Sequence, residues 1–187
     1  MITMGVDEVG RGCWAGPLLA GAVVLPSSFV VPTGWKLGDS KKLSRLQRER
    51  ADNEIRKVAV AVGIGWVHPQ EVDNLGLTAA VRLAMSRAVA QIDCIYDEII
   101  VDGHFNFLAD VSKTRALIKA DDTEPSVSAA SIIAKVARDK YMSSLDDAYG
   151  FAQHVGYGTA LHLARLREHG VSDQHRRSFK PIKALLQ

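Results

Sequence analysis

The chain has 187 residues, only two cysteines and a formal net charge of +2. This length favours one domain, over residues 1–187, that buries its own core without the support of a metal or a disulfide. Cys13 and Cys94 show no zinc-site or disulfide-framework spacing, and the sequence shows no secretory signal or membrane-spanning run. These features exclude a disulfide-rich secreted protein and a membrane protein, so we expect a soluble protein in the cytoplasm.

The charge is unevenly distributed along the chain. Residues 36–57 and 161–187 each carry a net charge of +4, which leaves −6 for the remaining residues. Basic flanks around an acidic centre suit a protein that binds cations and phosphates. Solvated helix surfaces give the same pattern, so charge alone does not identify a nucleic-acid-binding protein.

The elements predicted in chain order alternate between strand and helix. Residues 2–9 and the apolar run 18–25 predict neighbouring strands, with Arg11 in the turn between them. Ser44 and Gln47 form a capping-box pattern that predicts a surface helix. The elements that follow this cap are a helix to Lys57, a strand at 58–66, a helix at 72–92, a strand at 97–103, a strand at 115–120, a helix at 126–149 and a helix at 160–169 that stops at Gly170. We predict an α/β domain with a mixed central sheet, flanking helices and a helical C-terminal portion at about 150–187.

Two adjacent carboxylates, Asp7 and Glu8, end the first predicted strand. Neighbouring carboxylates repel one another and lose solvation, a cost that a hard cation such as Mg²⁺ removes. Side chains alternate along a strand, so both acids can face one ion only if Gly10 and Gly12 allow a bend or bulge there. Two alternatives stay open: Glu8 acts from the rim of the site, or one of the two acids is a solvated strand-end residue.

Two further acids are candidates for the same site. Asp102 ends the strand at 97–103, although Asp102 and Gly103 also suit a simple turn. Asp139 falls at the margin of the apolar face of the helix at 126–149, where it can lean toward the sheet or form an i,i+4 ion pair with Lys135. Four oxygen ligands without a His or Cys cluster favour Mg²⁺ or Mn²⁺ over zinc, and two such ions can hydrolyse a phosphodiester.

Glycine-rich segments predict contacts with nucleic acid. The backbone N–H groups of Gly10, Arg11 and Gly12 can approach a phosphate or a ribose, although the same segment also suits a tight turn without a ligand. Tyr157 lies between two glycines, which favours an exposed ring that contacts a sugar or base, and a buried tyrosine is the alternative.

Several segments resemble the blocks of the prokaryotic type 2 ribonucleases H, the ribonuclease HII family. They are DEVGRGCWAGP from Asp7, DSKKL from Asp39, VDG from Val101, SAASIIAKVARDKYM from Ser128, GYGT from Gly156 and HRRSF from His175. The resemblance implies a ribonuclease H-like fold and a monomer. It also implies an endoribonuclease that cleaves the RNA strand of RNA/DNA hybrids and nicks 5′ of ribonucleotides in duplex DNA, leaving 3′-hydroxyl and 5′-phosphate ends.

The resemblance further implies residue roles. The catalytic, metal-binding acids would be Asp7, Glu8, Asp102 and Asp139 with two Mg²⁺ or Mn²⁺ ions, and Gly10, Arg11 and Gly12 would sense the 2′-hydroxyl of a ribonucleotide. The remaining substrate contacts would come from Lys41, Lys42, Lys119, Ser126, Tyr157, His175 and Arg176. Ala120 stands where the family more often has glycine, and His154-Val155 replaces a basic residue often found before Gly156.

The sequence also has features of two rival functions. Gly10, Gly12 and Gly16 superficially resemble the dinucleotide-binding loop of an NADP-dependent oxidoreductase, but that fingerprint should open a helix, whereas Pro17 and the apolar run after it predict a strand. We therefore expect no nucleotide cofactor. A non-catalytic nucleic-acid-binding module is the other alternative, and retention of all four acids argues against it.

Overall fold

A computed structural model describes residues 1–31, 43–145 and 147–186. Five strands form one mixed sheet in the order β3-β2-β1-β4-β5. The strands are β1 (Thr3–Val9), β2 (Leu18–Val24), β3 (Ala61–Val67), β4 (Glu98–Asp102) and β5 (Thr114–Leu117). The α-helices are α1 (Arg45–Val58), α2 (Pro69–Leu75), α3 (Leu77–Val89), α4 (Ala120–Thr123), α5 (Pro125–Ser144), α6 (Phe151–His154), α7 (Ala160–His169) and α8 (Lys180–Lys183). A single 3₁₀ turn, Asp147–Tyr149, precedes α6.

The sheet is antiparallel on one side of β1 and parallel on the other. β1 pairs antiparallel with β2 and parallel with β4, and β4 pairs parallel with β5. All seven residues of β2 are buried, as expected for a continuous apolar strand covered on both faces. The carboxyl ends of β1 and β4 therefore meet at one edge of the sheet.

Helices α3 and α5 cover opposite faces of the sheet. Met4 and Val6 of β1 pack with Val81 and Met85 of α3 in the larger core. On the other face, Val23 packs with residues of α1 and α5 in a second core. The close approach of α5 requires glycine, because a Cβ at Gly21 would lie 2.4 Å from the carbonyl oxygen of Ala130.

The structure corrects several predicted boundaries. The helix predicted at 72–92 is divided into α2 and α3 at Gly76, whose φ of 78° lies in the left-handed region. The helix predicted at 126–149 ends at Ser144, and the strand predicted at 58–66 begins only at Ala61, because α1 continues to Val58. Ala120 opens α4 instead of ending a strand. The short helices α6 and α8 were not predicted, since four residues give no readable periodicity.

The C-terminal segment packs onto the loop between β1 and β2. Ala15 in that loop forms an isolated antiparallel bridge with His175. The predicted capping box at Ser44 and Gln47 is confirmed, as is the end of α7 at Gly170. None of the helices in the described ranges combines the length and the apolar character needed to cross a membrane.

Candidate active site

Asp7 and Asp102 lie level with each other at the carboxyl edge of the sheet. Val6 of β1 is the register partner of Val101 of β4, and the two aspartates are the next residues of these parallel strands. Both side chains point to the α5 face: Asp7 forms a hydrogen bond with Ser131 of α5, and Ile100, on the same face as Asp102, packs with Val127. Neighbouring parallel strands thus present two carboxylates on one face.

Glu8 lies on the opposite face of β1. The predicted bulge is absent, because β1 and β2 pair one to one from Met4 through Val9. Glu8 instead occupies the rim, where it lines a hollow of about 480 Å³ together with Asp102 and Arg11. Arg11 Nη1 lies 3.6 Å from Glu8 Oε1. This placement agrees with the alternative in which Glu8 acts from the rim.

The edge is electrostatically unfavourable without a cation. Burial raises the pKa of Asp7 well above its usual value, and the negative charges of Glu8 and Asp102 raise it further. Hydrogen bonds from Ser131 and from the backbone N–H of Glu8 lower the pKa of Asp7 only in part. A bound cation would remove the repulsion that these three carboxylates impose on one another.

Asp102 is anchored to the start of α4. Its Oδ1 accepts a hydrogen bond of 2.8 Å from the backbone N–H of Ala120. Asp121, the next residue, lies in the same helical turn and is half-buried. This carboxylate was not a predicted site residue, and its signal in the sequence was an acid in the first turn of a helix that follows the sheet edge.

Asp139 is engaged by two cations. Its Oδ1 accepts a hydrogen bond of 2.7 Å from Lys135 Nζ, and its Oδ2 lies 3.5 Å from Arg48 Nη2. Ser131, which contacts Asp7, precedes Asp139 by eight residues on α5, which is about 12 Å along the helix axis. Asp7, Glu8 and Asp102 therefore lie at one edge of the sheet, here called the carboxylate edge, whereas Asp139 lies farther along α5.

The donor set at the edge suits a hard cation. All of the acids offer carboxylate oxygens as metal ligands, and Mg²⁺ and Mn²⁺ prefer oxygen ligands. Within residues 1–31, 43–145 and 147–186, no three metal-ligating side chains already converge closely enough to hold an ion. Ion binding at this edge would have to draw the carboxylates together against their repulsion, which the ion itself neutralises.

A buried arginine holds the glycine loop, residues 10–17, which connects β1 to β2. Gly10 has a φ of 83°, and a Cβ there would lie 2.3 Å from Nε of Arg138. Arg138 is fully buried and donates hydrogen bonds to the carbonyls of Pro17, Ala15 and Val155. Its role was not predicted, because a basic residue in a helix carries no sign of burial. Arg11 and Gly12 remain exposed at the tip of the loop.

Arg176 and His175 lie behind the loop, inside the protein. Both were predicted to contact the substrate backbone, but both are buried in the structure. Arg176 donates to the carbonyls of Gly16 and Arg11, and burial lowers its pKa to about 10, so it remains charged at neutral pH. His175 Nε2 lies 3.0 Å from Nε2 of His162. Both residues support the loop from inside, and their predicted contacts with the substrate stay predictions.

Tyr157 is tied to the same loop. The backbone N–H of Trp14 donates to the carbonyl of Gly156, and His162 Nδ1 lies 2.9 Å from the carbonyl of Tyr157. The Tyr157 residue as a whole is 38% exposed, and the predicted contact of its ring with the substrate stays a prediction. Burial of its hydroxyl raises the pKa of Tyr157, and the neighbouring Cys13 raises it further.

The remaining predicted contacts divide into three cases. Lys119 is exposed beside the carboxylate edge, directly before Ala120. Ser126 is buried where α5 crosses β1 at Gly5, and its predicted substrate contact stays a prediction. Lys41 and Lys42 lie outside the described residues.

Comparisons with known proteins agree with the predicted family. The sequence profile of the family Ribonuclease HII matches residues 4–182. A ribonuclease HII of Bacillus cereus is 46% identical over 186 residues, which are 98% of this chain and 70% of that protein. The fold is similar to ribonuclease H2 from Pyrococcus horikoshii, with a TM-score of 0.84 and 25% identity over 99% of this chain and 97% of that one. It is also similar to a structure of the PCNA:RNase HII complex from Archaeoglobus fulgidus, with a TM-score of 0.77 and 26% identity over 96% of each chain. The predicted ribonuclease H-like α/β fold is confirmed.

Proposed function

The chain belongs to the ribonuclease HII family of endoribonucleases, and from this premise we propose its substrates and its mechanism. It cuts the RNA strand of RNA/DNA hybrids and nicks duplex DNA 5′ of an embedded ribonucleotide, leaving 3′-hydroxyl and 5′-phosphate ends. Such a nick begins the removal of ribonucleotides from DNA. The observation that carries the proposal is the level pair of Asp7 and Asp102, with Glu8 at the rim, beside a glycine loop that can approach a ribose.

The carboxylate edge would hold two Mg²⁺ or Mn²⁺ ions. Asp7 and Asp102 face the same side of the sheet and would share an ion, while Glu8 would contribute from the rim. When bound, such ions activate the attacking water and stabilise the leaving oxygen of the phosphodiester. The protein's own part is to fix the carboxylates: the backbone N–H groups of Glu8 and Ala120 each hold one oxygen of the two aspartates.

A fourth carboxylate has two candidates. Asp139 is the one that the sequence predicted, and its role stays a prediction. Asp121 has a more direct connection to the edge, because the residue before it donates its N–H to Asp102. Lys119 in the same segment is exposed and would contact the substrate backbone.

Ribose recognition would fall to the loop tip and Tyr157. A Cβ placed on Gly12 would meet no atom within 4 Å, so a ribose can approach the backbone there. Hydrogen bonds from Trp14 and Ala15 to the carbonyl of Gly156 fix this loop relative to Tyr157. The 2′-hydroxyl is the group that distinguishes RNA from DNA, and a fixed pair of contacts can test for it.

One of the two rival functions is excluded, and the other requires an experiment. The oxidoreductase alternative is wrong, because the loop leads into β2 at Leu18 and not into a helix. A module that only binds nucleic acid is separated from an enzyme by experiment. The predicted monomer and the predicted cytoplasmic location stay predictions.

The test uses a duplex that carries one ribonucleotide and a label at the 5′ end of that strand. With Mg²⁺ or Mn²⁺, the protein should give one labelled product that ends 5′ of the ribonucleotide, and a DNA polymerase should extend its 3′-hydroxyl. Asp7→Asn should lose at least about 10³-fold in rate. Asp173→Asn is the matched control. The Asp173 side chain is 90% exposed, and Asp173 is far in sequence from Asp7, Glu8 and Asp102. Equal cleavage by Asp7→Asn and the unmodified protein would refute the site, and binding without cleavage would favour the non-catalytic module.

A further inference from the structure

One face of α5 connects the carboxylate edge to Tyr157. Ser131, Lys135 and Asp139 are spaced four residues apart and therefore lie along the same side of the helix. Ser131 contacts Asp7, and Lys135 Nζ lies 5.9 Å from the centre of the Tyr157 ring. Lys135 thus lies about one helical turn from the Asp7 contact, between the candidate metal ligands and the candidate ribose contact.

Lys135 is held by a carboxylate that also holds a second cation. Asp139 accepts from Lys135 at 2.7 Å through one oxygen and faces Arg48 at 3.5 Å through the other. The three side chains are only 11–13% exposed. A partly buried lysine with a fixed partner loses little further conformational freedom when it binds a ligand.

The chemistry of this group fits an anion. Lys135 brings a positive charge to within 5.9 Å of the centre of the Tyr157 ring. An ammonium has three N–H donors, and Asp139 takes one of them. A phosphate oxygen at the exposed side of Lys135 would meet a directed, charge-assisted donor.

We propose that Lys135 binds a backbone phosphate of the cleaved strand next to the ribonucleotide, and that Asp139 is the positioning residue that orients Lys135. This inference rests on the proposed function, because it takes the strand to run from the carboxylate edge to Tyr157. It assigns Asp139 a role outside the metal centre. The ion pair that sequence spacing allowed as the alternative for Asp139 then has a purpose in substrate binding.

The first experiment measures how affinity depends on salt. Binding of the single-ribonucleotide duplex is titrated at several salt concentrations in an Asp7→Asn background, so that no cleavage occurs. Adding Lys135→Met should reduce the slope of log affinity against log salt by about one, as expected for one lost phosphate contact. Lys140→Met is the matched control: Lys140 is exposed on the same helix, about 140° around its axis from Lys135. An unchanged slope for Lys135→Met, or an equal change for Lys140→Met, would overturn the proposal.

The second experiment separates orientation from metal binding. Mn²⁺ is titrated calorimetrically into proteins without nucleic acid. Asp139→Asn should keep the unmodified affinity for Mn²⁺, whereas Asp7→Asn should lose it. A loss of Mn²⁺ affinity in Asp139→Asn would make it a metal ligand and overturn its positioning role.

The third experiment measures KM and kcat in proteins that keep Asp7 and therefore cleave. Lys135→Met and Asp139→Asn should each raise KM by about tenfold with a smaller effect on kcat, and the double variant should be no worse than Lys135→Met alone. Lys135→Arg should recover part of the loss, because it keeps the charge. Additive effects, or a loss confined to thermal stability, would identify a merely structural ion pair. Failure of the unmodified protein to cleave would refute the proposed function instead, since the salt titration needs no cleavage.

Discussion

The carboxylate edge and the glycine loop lie next to each other but differ in how their buried charges are balanced. At the edge, burial raises the pKa of Asp7, and the negative charges of Glu8 and Asp102 raise it further. In the loop, the buried guanidinium groups of Arg138 and Arg176 donate to backbone carbonyls from several segments. Like charges repel one another at the edge, whereas hydrogen bonds within the protein satisfy the buried charges of the loop. The proposed function accounts for this difference, because it places catalysis at the edge and recognition of the ribose at the loop.

The largest expected effect concerns the fourth carboxylate of the edge. Asp121→Asn should reduce the cleavage rate by about 10²-fold or more, because one charge at the candidate metal centre is lost. Its neighbour Asp122 is exposed in the same turn, and Asp122→Asn should stay within about twofold of the unmodified rate. Rates on the single-ribonucleotide duplex in Mg²⁺ provide the measurement. Similar rates for Asp121→Asn and the unmodified protein would exclude Asp121 from the edge.

Removing the Arg138 guanidinium, which supports the glycine loop, should lower the free energy of unfolding. Arg138→Met leaves the carbonyls of Pro17, Ala15 and Val155 without this donor, which should cost about 3 kcal/mol in the free energy of unfolding. Urea denaturation measures this loss. The exposed Arg167→Met should change the free energy of unfolding by less than about 0.5 kcal/mol. If the two variants lose equal stability, the loop is not held from inside by Arg138.

The histidines behind the loop should make stability depend on pH. Burial lowers the pKa of His162 and of His175 to about 4, so both are neutral in the folded protein at pH 7. An unfolded histidine titrates near 6.5, so this contribution to stability is fully present above pH 6.5 and is lost as pH falls toward 4. Urea denaturation between pH 7 and pH 5 should show a loss on the order of 2 kcal/mol.

Hydrogen bonds of the His162 and His175 rings connect this loss of stability to the glycine loop. Ser172 donates to His175 Nδ1, His175 Nε2 faces His162 Nε2, and His162 Nδ1 faces the carbonyl of Tyr157. This chain of hydrogen bonds is consistent only with two neutral rings, because protonation would set two N–H donors against each other. His162→Gln should flatten the pH dependence, while the exposed His104→Gln should keep it. Identical pH profiles for the two variants would show that the buried pair is not its source.

The sequence predicted the sheet and most of the edge because those features follow from local patterns. An imperfect alternation located β1 and apolar runs located β2 and β4, and Asp7 and Asp102 stood out as acids near the ends of β1 and β4. The side of the sheet that Glu8 faces could not be decided, because it depends on whether β1 keeps its pairing with β2 through Val9.

The supports of the loop could not be predicted from the sequence. Arg138 and Arg176 read as exposed basic residues, since only the tertiary structure shows the carbonyls that receive their N–H groups. The same limit applies to His175, whose partner His162 lies in α7. Motifs therefore indicated which segments to consider, while the tertiary structure shows which of their residues are buried.

The stability of the protein with and without a divalent ion tests most directly whether the edge is built for a cation. Without Mn²⁺, Asp7→Asn should unfold at a higher temperature than the unmodified protein, because the substitution removes one of three repelling charges. Saturating Mn²⁺ should raise the unfolding temperature of the unmodified protein by several degrees and leave that of Asp7→Asn nearly unchanged. An equal shift in both proteins, or none in the unmodified protein, would contradict a metal centre at this edge.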